Sequence, residues 1–122
     1  MEIQIKQVNG IDIAEVISDR ILIRNTQDAL DLMANCAYQG SRKIILKEEN
    51  IVPDFFDLKT GVAGDILQKF STYNVKIAII GDYSKYTSRS LRDFIFESNK
   101  YGRINFVSSI EEAHKAFIKY KS

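Results

Sequence analysis

Little in this 122-residue chain can staple it, kink it or anchor it. There is one cysteine, Cys36, so no intramolecular disulfide can form, and a lone thiol fits a reducing compartment. There is one proline, Pro53, and no tryptophan. His114 is the single histidine, which excludes a histidine-rich metal site. No apolar run approaches the ~18 residues that would span a bilayer. The N-terminus, Met1 to Lys6, alternates polar and apolar residues and carries no apolar core of signal-peptide length. A cytoplasmic location is expected. Charge of one sign is lacking too. With 17 basic and 16 acidic residues the formal net charge is +1, which gives no electrostatic drive toward nucleic acid or anionic lipid. Neither nucleic acid nor membrane is therefore expected as a partner. Walker loops, Gly-x-Gly-x-x-Gly, Gly-x-Ser-x-Gly and Cys-x-x-Cys are absent. These gaps argue against an enzyme without closing the question, because catalytic triads are assembled in space. No cofactor is expected.

What is present reads as one α/β domain over residues 1–122, large enough to bury a core without metal or disulfide. Ile3, Ile5 and Val8 precede Asn9-Gly10, and Ile11, Ile13 and Val16-Ile17 follow it. Asn-Gly tolerates positive φ at both positions, so this stretch predicts a β-hairpin. Ile21 to Ile23 is a short extended piece that can add to it. Thr26 is placed to cap a first helix, with Leu30, Met33, Ala34, Ala37 and Tyr38 at helical spacing and Gly40 at its end. Ile44-Ile45-Leu46 suits a strand covered on both faces. Glu48 to Asp54 reads as a loop. A second helix is expected from about Asp57 or Thr60 to Tyr73, with Val62, Ile66, Leu67 and Phe70 inward.

Val75 to Ile80 is the clearest buried strand, followed by the polar, aromatic loop Gly81 to Tyr86. Thr87 or Ser88 can cap a third helix that carries Leu91, Phe94, Ile95 and Ser98 inward and ends at Gly102. Ile104 to Val107 is the last strand. Ser109 and Glu112 form a capping box for a last helix with Ala113, Ala116, Phe117 and Tyr120 on its inner face. The order β-β-(β)-α-β-α-β-α-β-α predicts a mixed sheet of four or five strands and four helices, its last three strands parallel. Sites in such sheets collect outside the carboxyl ends of the strands, here Glu48-Glu49, Gly81-Asp82 and Ser108-Ser109.

The stretch Phe55 to Gln68 holds the most informative local pattern. Thr60-Gly61-Val62-Ala63-Gly64 sits where strand gives way to helix. With this element order it resembles the STAS fold of bacterial anti-sigma-factor antagonists and sulfate-transporter tails. That resemblance implies a STAS-like α/β sandwich in which a Ser or Thr directly before a Gly accepts phosphate at a helix start. Thr60 would be the acceptor. Asp57 stands three residues before it, where the family motif has two. Lys47-Glu48 stands where that family ends its strand in Asp. Over nearly the whole chain the sequence also looks like a family of small bacterial proteins grouped as a domain of unknown function. The shared-looking stretches are Gln27 to Leu32, Glu48 to Ile51, Phe55 to Gly61 and Gly81 to Tyr86. That likeness implies no activity.

Each candidate residue has two readings. Thr60 is a phosphate acceptor at a helix N-terminus, where the dipole welcomes charge, or a cap of that helix. Glu48, Glu49, Asp54 and Asp57 could hold a hard cation, but they lack the spacing of a calcium loop; a solvated loop with capping acids is the plainer account. Tyr83, Lys85, Tyr86, Arg89 and Arg92 form an aromatic and basic stretch suited to a nucleotide or a phosphoprotein, or a solvated face over the core edge. His114 reads as a surface helix residue and Cys36 as a small buried hydrophobe.

The reading that follows is a regulatory, protein-interaction module. Asp57, Lys59, Thr60, Gly61, Glu48, Asp82, Tyr83, Lys85, Tyr86 and Arg89 form its ligand- or partner-binding face. The alternative is a small-ligand binder for nucleotide or lipid, or a weak enzyme, using the strand ends. A third reading is a homodimer in which the hairpin edge pairs with itself.

Overall fold

A computed structural model of the chain describes residues 1–119. Two strands, β1 (Glu2–Val8) and β2 (Ile11–Ile17), form the expected hairpin. Asn9 and Gly10 turn it with φ of 52° and 79°, the left-handed pair that Asn-Gly was expected to supply. Then follow α1 (Thr26–Tyr38), β3 (Lys43–Lys47), α2 (Val62–Thr72), β4 (Lys76–Ile80), α3 (Arg89–Tyr101), β5 (Ile104–Val107) and α4 (Ile110–Lys119). The five strands lie in sequence order, β1 antiparallel to β2 and every later neighbour parallel.

That order has a topological reason. A sheet that grows in one direction through right-handed crossovers must carry its connecting helices on one face. Accordingly α1, α2 and α3 share one core with Ala14, Val16, Ile44, Leu46, Ile77, Ile79, Ile104 and Phe106. The alternate residues Ile11, Ile13, Ile45, Ala78 and Val107 point the other way, onto Ala113 and Phe117 of α4. The sheet is thus covered on both faces, which explains why β3 and β4 read as continuous apolar runs.

Local details depart from the sequence reading in four places. The cap of α1 is Asn25, not Thr26: its side chain accepts from Asp28 N at 2.9 Å while Asp28 accepts from Arg24 N at 2.9 Å. Asn outranks Thr at this position, and the reciprocal pair satisfies two backbone donors. The buried stripe of α1 is Ala29, Leu32, Met33 and Cys36, while Ala34 is exposed and Tyr38 is 92% exposed. Two overlapping apolar stripes share Met33, and contact with the sheet chose between them. Burial pushes the Cys36 thiol up to about 11, as a buried small hydrophobe requires.

The other two departures concern the segment between β3 and α2. Glu48 to Asp54 is not a plain loop: three successive 3₁₀ turns, Glu48–Asn50, Pro53–Phe56 and Leu58–Thr60, fill the segment between β3 and α2. α2 therefore starts at Val62, later than expected. And Ile21 to Ile23 does not extend the hairpin: Ile23 bridges Ile51, and Val52 N donates to Ile23 O at 2.9 Å. Asn50 holds this crossing together and is fully buried. Its Oδ1 accepts from Lys47 N at 3.0 Å, and its Nδ2 donates to Ser18 O at 2.9 Å and Arg20 O at 2.8 Å. Its backbone carbonyl accepts from Leu22 N and Ile23 N.

The caps of α3 and α4 fall where expected, while α2 is capped by Gly61 and not by Thr60. Ser88 caps α3, and Gly102 ends it at φ 78°. Ser109 Oγ accepts from Glu112 N at 3.2 Å, while the Glu112 carboxylate takes Ser108 N. Ala113 and Phe117 are fully buried, as read; Tyr120, expected on the same face, lies outside the described residues.

Asn50→Ala should lower stability by about 2–4 kcal/mol, because it removes three part-buried hydrogen bonds from a buried side chain. Asn50→Asp should be at least as harmful, since a carboxylate would face the Ser18 and Arg20 carbonyls. Chemical denaturation of the three proteins tests both, and a loss under about 0.5 kcal/mol would remove Asn50 from this role.

Candidate functional site

The carboxyl ends of β3 and β4 converge on one carboxylate. Glu48 follows β3 directly, and its side chain is 14% exposed. Glu48 Oε2 accepts a hydrogen bond from the Tyr86 hydroxyl and pairs with Lys85 Nζ at 2.8 Å. Both donors come from the loop after β4. Gly81, the first residue of that loop, makes room for the acid. A Cβ there would lie 2.6 Å from Glu48 Oε1 and 2.8 Å from Glu48 Cβ, closer than real contacts allow.

An aromatic wedge closes the same end of the sheet. Phe56, from the second 3₁₀ turn, stacks on Tyr86 with ring centroids 5.1 Å apart and planes at 15°. Tyr83 meets Phe106 of β5 edge-on at 5.3 Å and donates its hydroxyl to Ile79 O at 2.6 Å. Phe55 and Phe94 complete the contact with Phe106. Burial, reinforced by the Glu48 charge, holds both phenols well above their usual range. Asp82 turns outward and caps the loop, accepting from Ser84 N at 3.0 Å and Ser84 Oγ at 2.6 Å; these bonds hold its carboxyl below the usual range.

The structure thus unites Glu48, Gly81, Tyr83, Lys85 and Tyr86, although more than thirty positions separate Glu48 from the others in sequence. Phe56, the ring that stacks on Tyr86, was read only as part of a motif, because nothing in its neighbourhood marks it as a platform. Asp57, Lys59, Thr60 and Gly61 form a second, exposed turn a few residues beyond Phe56. The Thr60 hydroxyl bridges the carbonyls of Asp54 and Asp57, each at 2.8 Å, and accepts from Val62 N at 3.3 Å. Asp57 accepts from Lys59 N at 3.2 Å. Gly61 takes φ 77° and caps α2. Arg89 opens α3 with an exposed side chain. Among the described residues no group of three acidic, histidine or cysteine side chains could hold a metal ion.

A groove of about 400 Å³ lies away from the Tyr83–Tyr86 loop, between α2 and the C-terminal half of α3. Leu67, Phe94, Tyr101 and Ile104 wall it, with Glu97 and Arg103 at its rim.

Residues 8–117 match the profile of a family described as "Domain of unknown function (DUF4180)". The chain belongs to this family. No curated protein matches the sequence. Among solved structures, that of a suggested anti-sigma factor antagonist from Thermotoga maritima is similar over 93% of this chain and 92% of that one, with a TM-score of 0.47 and 17% identity. A likeness at this level carries no functional meaning. No described helix of this DUF4180 domain is long and apolar enough to cross a membrane.

Gly81→Ala should displace Glu48 and destabilise the domain by about 1–3 kcal/mol, a cost of overpacking; an unchanged melting temperature would show that the carboxylate has room to move. The phenols give a pH signature. Their folded pKa values are raised above the unfolded value of about 10, so their contribution to stability is complete below that pH and fades as pH rises beyond it. Ultraviolet titration should show a late phenolate step in the wild type that is lost from the Tyr83→Phe/Tyr86→Phe variant. An identical profile in both proteins would contradict the buried-phenol assignment.

Proposed function

We propose that this domain is a regulatory protein-interaction module whose working face joins the Thr60 turn to the Asp82–Arg89 loop. One observation carries the reading. The end of the sheet where α/β folds bind small molecules is filled by the protein's own rings, and its one sheltered acid is already met by Tyr86 and Lys85. What this end offers is a surface, with exposed Asp57, Lys59, Thr60, Asp82, Lys85 and Arg89 around a supported aromatic floor.

Thr60 is the proposed point of control. Its hydroxyl ties two 3₁₀ turns to the start of α2. A phosphoryl group on that oxygen would remove the proton it donates to the Asp54 and Asp57 carbonyls. It would also bring nearly two negative charges beside Asp57 and the positive end of α2. The turn would reshape, and the charge pattern of the face with it. A cytoplasmic protein partner is the matching ligand class.

A second reading rests on the α2–α3 groove, whose volume falls within the range of ligand pockets and whose apolar walls suit a small apolar ligand.

The test is phosphopeptide mapping of protein incubated with lysate of its source organism and ATP. The expected result is phosphate on Thr60, with Thr60→Glu and Thr60→Ala differing in partner capture. If the peptide is fully covered and unmodified, and both variants capture alike, the switch is wrong and Thr60 is a structural tie.

A further inference from the structure

β1 is one of the two edges of the sheet, paired on one side only. Its seven residues run in unbroken register with β2, without bulge or proline, and Lys6 is its one lysine. Natural edges are normally guarded by such devices. The two-residue turn makes Val8–Ile11 a hydrogen-bonded pair, so the even positions Glu2, Gln4, Lys6 and Val8 exchange their backbone bonds with β2. Ile3, Ile5 and Gln7 therefore direct their N–H and C=O groups outward, to the empty side. Ile5 is 38% exposed on the face that carries α1.

The charges on this strand are symmetric about Gln4. Glu2 lies two residues before it and Lys6 two after, both on the face that carries α4. Place a second β1 antiparallel to the first, with a two-fold axis through Gln4. Glu2 then opposes the second copy's Lys6, Ile3 opposes its Ile5, and each relation occurs twice. The outward-facing Ile3 and Ile5 fall opposite each other, as the hydrogen-bonded pairs of an antiparallel ladder require. Parallel pairing in register would set Glu2 against Glu2 and Lys6 against Lys6. Sliding the antiparallel pair by two positions breaks both ion pairs. Within one chain Lys6 already pairs with Glu15 at 2.8 Å, so the second copy's Glu2 would give it a second carboxylate.

We infer that the β1 edge is a self-association surface, on which a second copy of this chain adds antiparallel about Gln4 to give one continuous ten-stranded sheet. The two-fold axis stands normal to the sheet, so both copies keep α1–α3 on the same side. Edge pairing alone makes a small interface, so the dimer is weak, in the micromolar to millimolar range.

The test is sedimentation equilibrium from roughly 10 μM to 1 mM, the range in which a small interface is populated. Wild-type protein should dimerise with concentration. Glu2→Lys alone and Lys6→Glu alone should each weaken dimerisation by roughly 10- to 50-fold, since each sets like charges opposite twice. An equimolar mixture of the two variants should regain wild-type association, because both lysines of one strand then face both glutamates of the other. That rescue also excludes misfolding as the cause of either loss. Gln4→Cys reports the register: its thiol should form an intermolecular disulfide under mild oxidation, while buried Cys36 stays silent. A wild type that stays monomeric throughout overturns the inference and leaves the edge to an extended segment of a different protein. A dimer that the mixture does not restore, or that Gln4→Cys does not link, overturns it too and places the contact elsewhere.

Discussion

The Asn50 amide is the joint on which the carboxyl end of this domain's sheet depends. One buried side chain fastens the end of β3 to the segment leaving β2, and its backbone carbonyl receives the strand-like stretch at Leu22 and Ile23. An amide suits the task because it offers acceptor and donors in one plane. Everything after it inherits its position. Glu48 sits two residues upstream in the same 3₁₀ turn, and Phe55 and Phe56 follow five and six residues downstream in the next. Without the tie, the carboxylate and the aromatic wedge would hang on an unsupported segment between two strands.

From that joint the rest of the end packs by contact. Phe56 gives Tyr86 a ring to stack on, and Tyr86 in turn reaches Glu48. Gly81 is small so that β4 can leave the sheet against the same acid. Tyr83 closes the far side on Phe106 and returns its hydroxyl to the backbone of β4. Polar groups in this cluster find partners, which is what lets it be buried. A carboxylate held this way is a structural anchor.

Much of this was legible in the sequence, and the failures have physical causes. Asn9-Gly10 announced the hairpin because few dipeptides accept positive φ twice. β3, β4 and β5 were visible as short apolar runs between charges. Ser88, Gly102 and Ser109 marked helix ends by their own capping chemistry. The buried stripe of α1 was misplaced because two stripes of equal quality cross at Met33, and period alone cannot rank them. The 3₁₀ turns between Glu48 and Thr60 escaped because they lack a periodic apolar pattern long enough to detect. Asn50 looked like any polar loop residue. Its partners, Ser18 and Arg20, are some thirty residues away, and only the fold brings them there.

What the chain determined by itself is therefore local: the order of its strands and helices, most of their ends, and that no disulfide, metal cluster of histidines or long apolar span contributes. Those follow from backbone sterics, capping bonds and hydrophobic period, which act over a few residues. Tertiary structure alone decided which acid would be sheltered and which rings would cover it. Those depend on long-range contacts, and their energies are set by burial and partner geometry that no window of sequence contains.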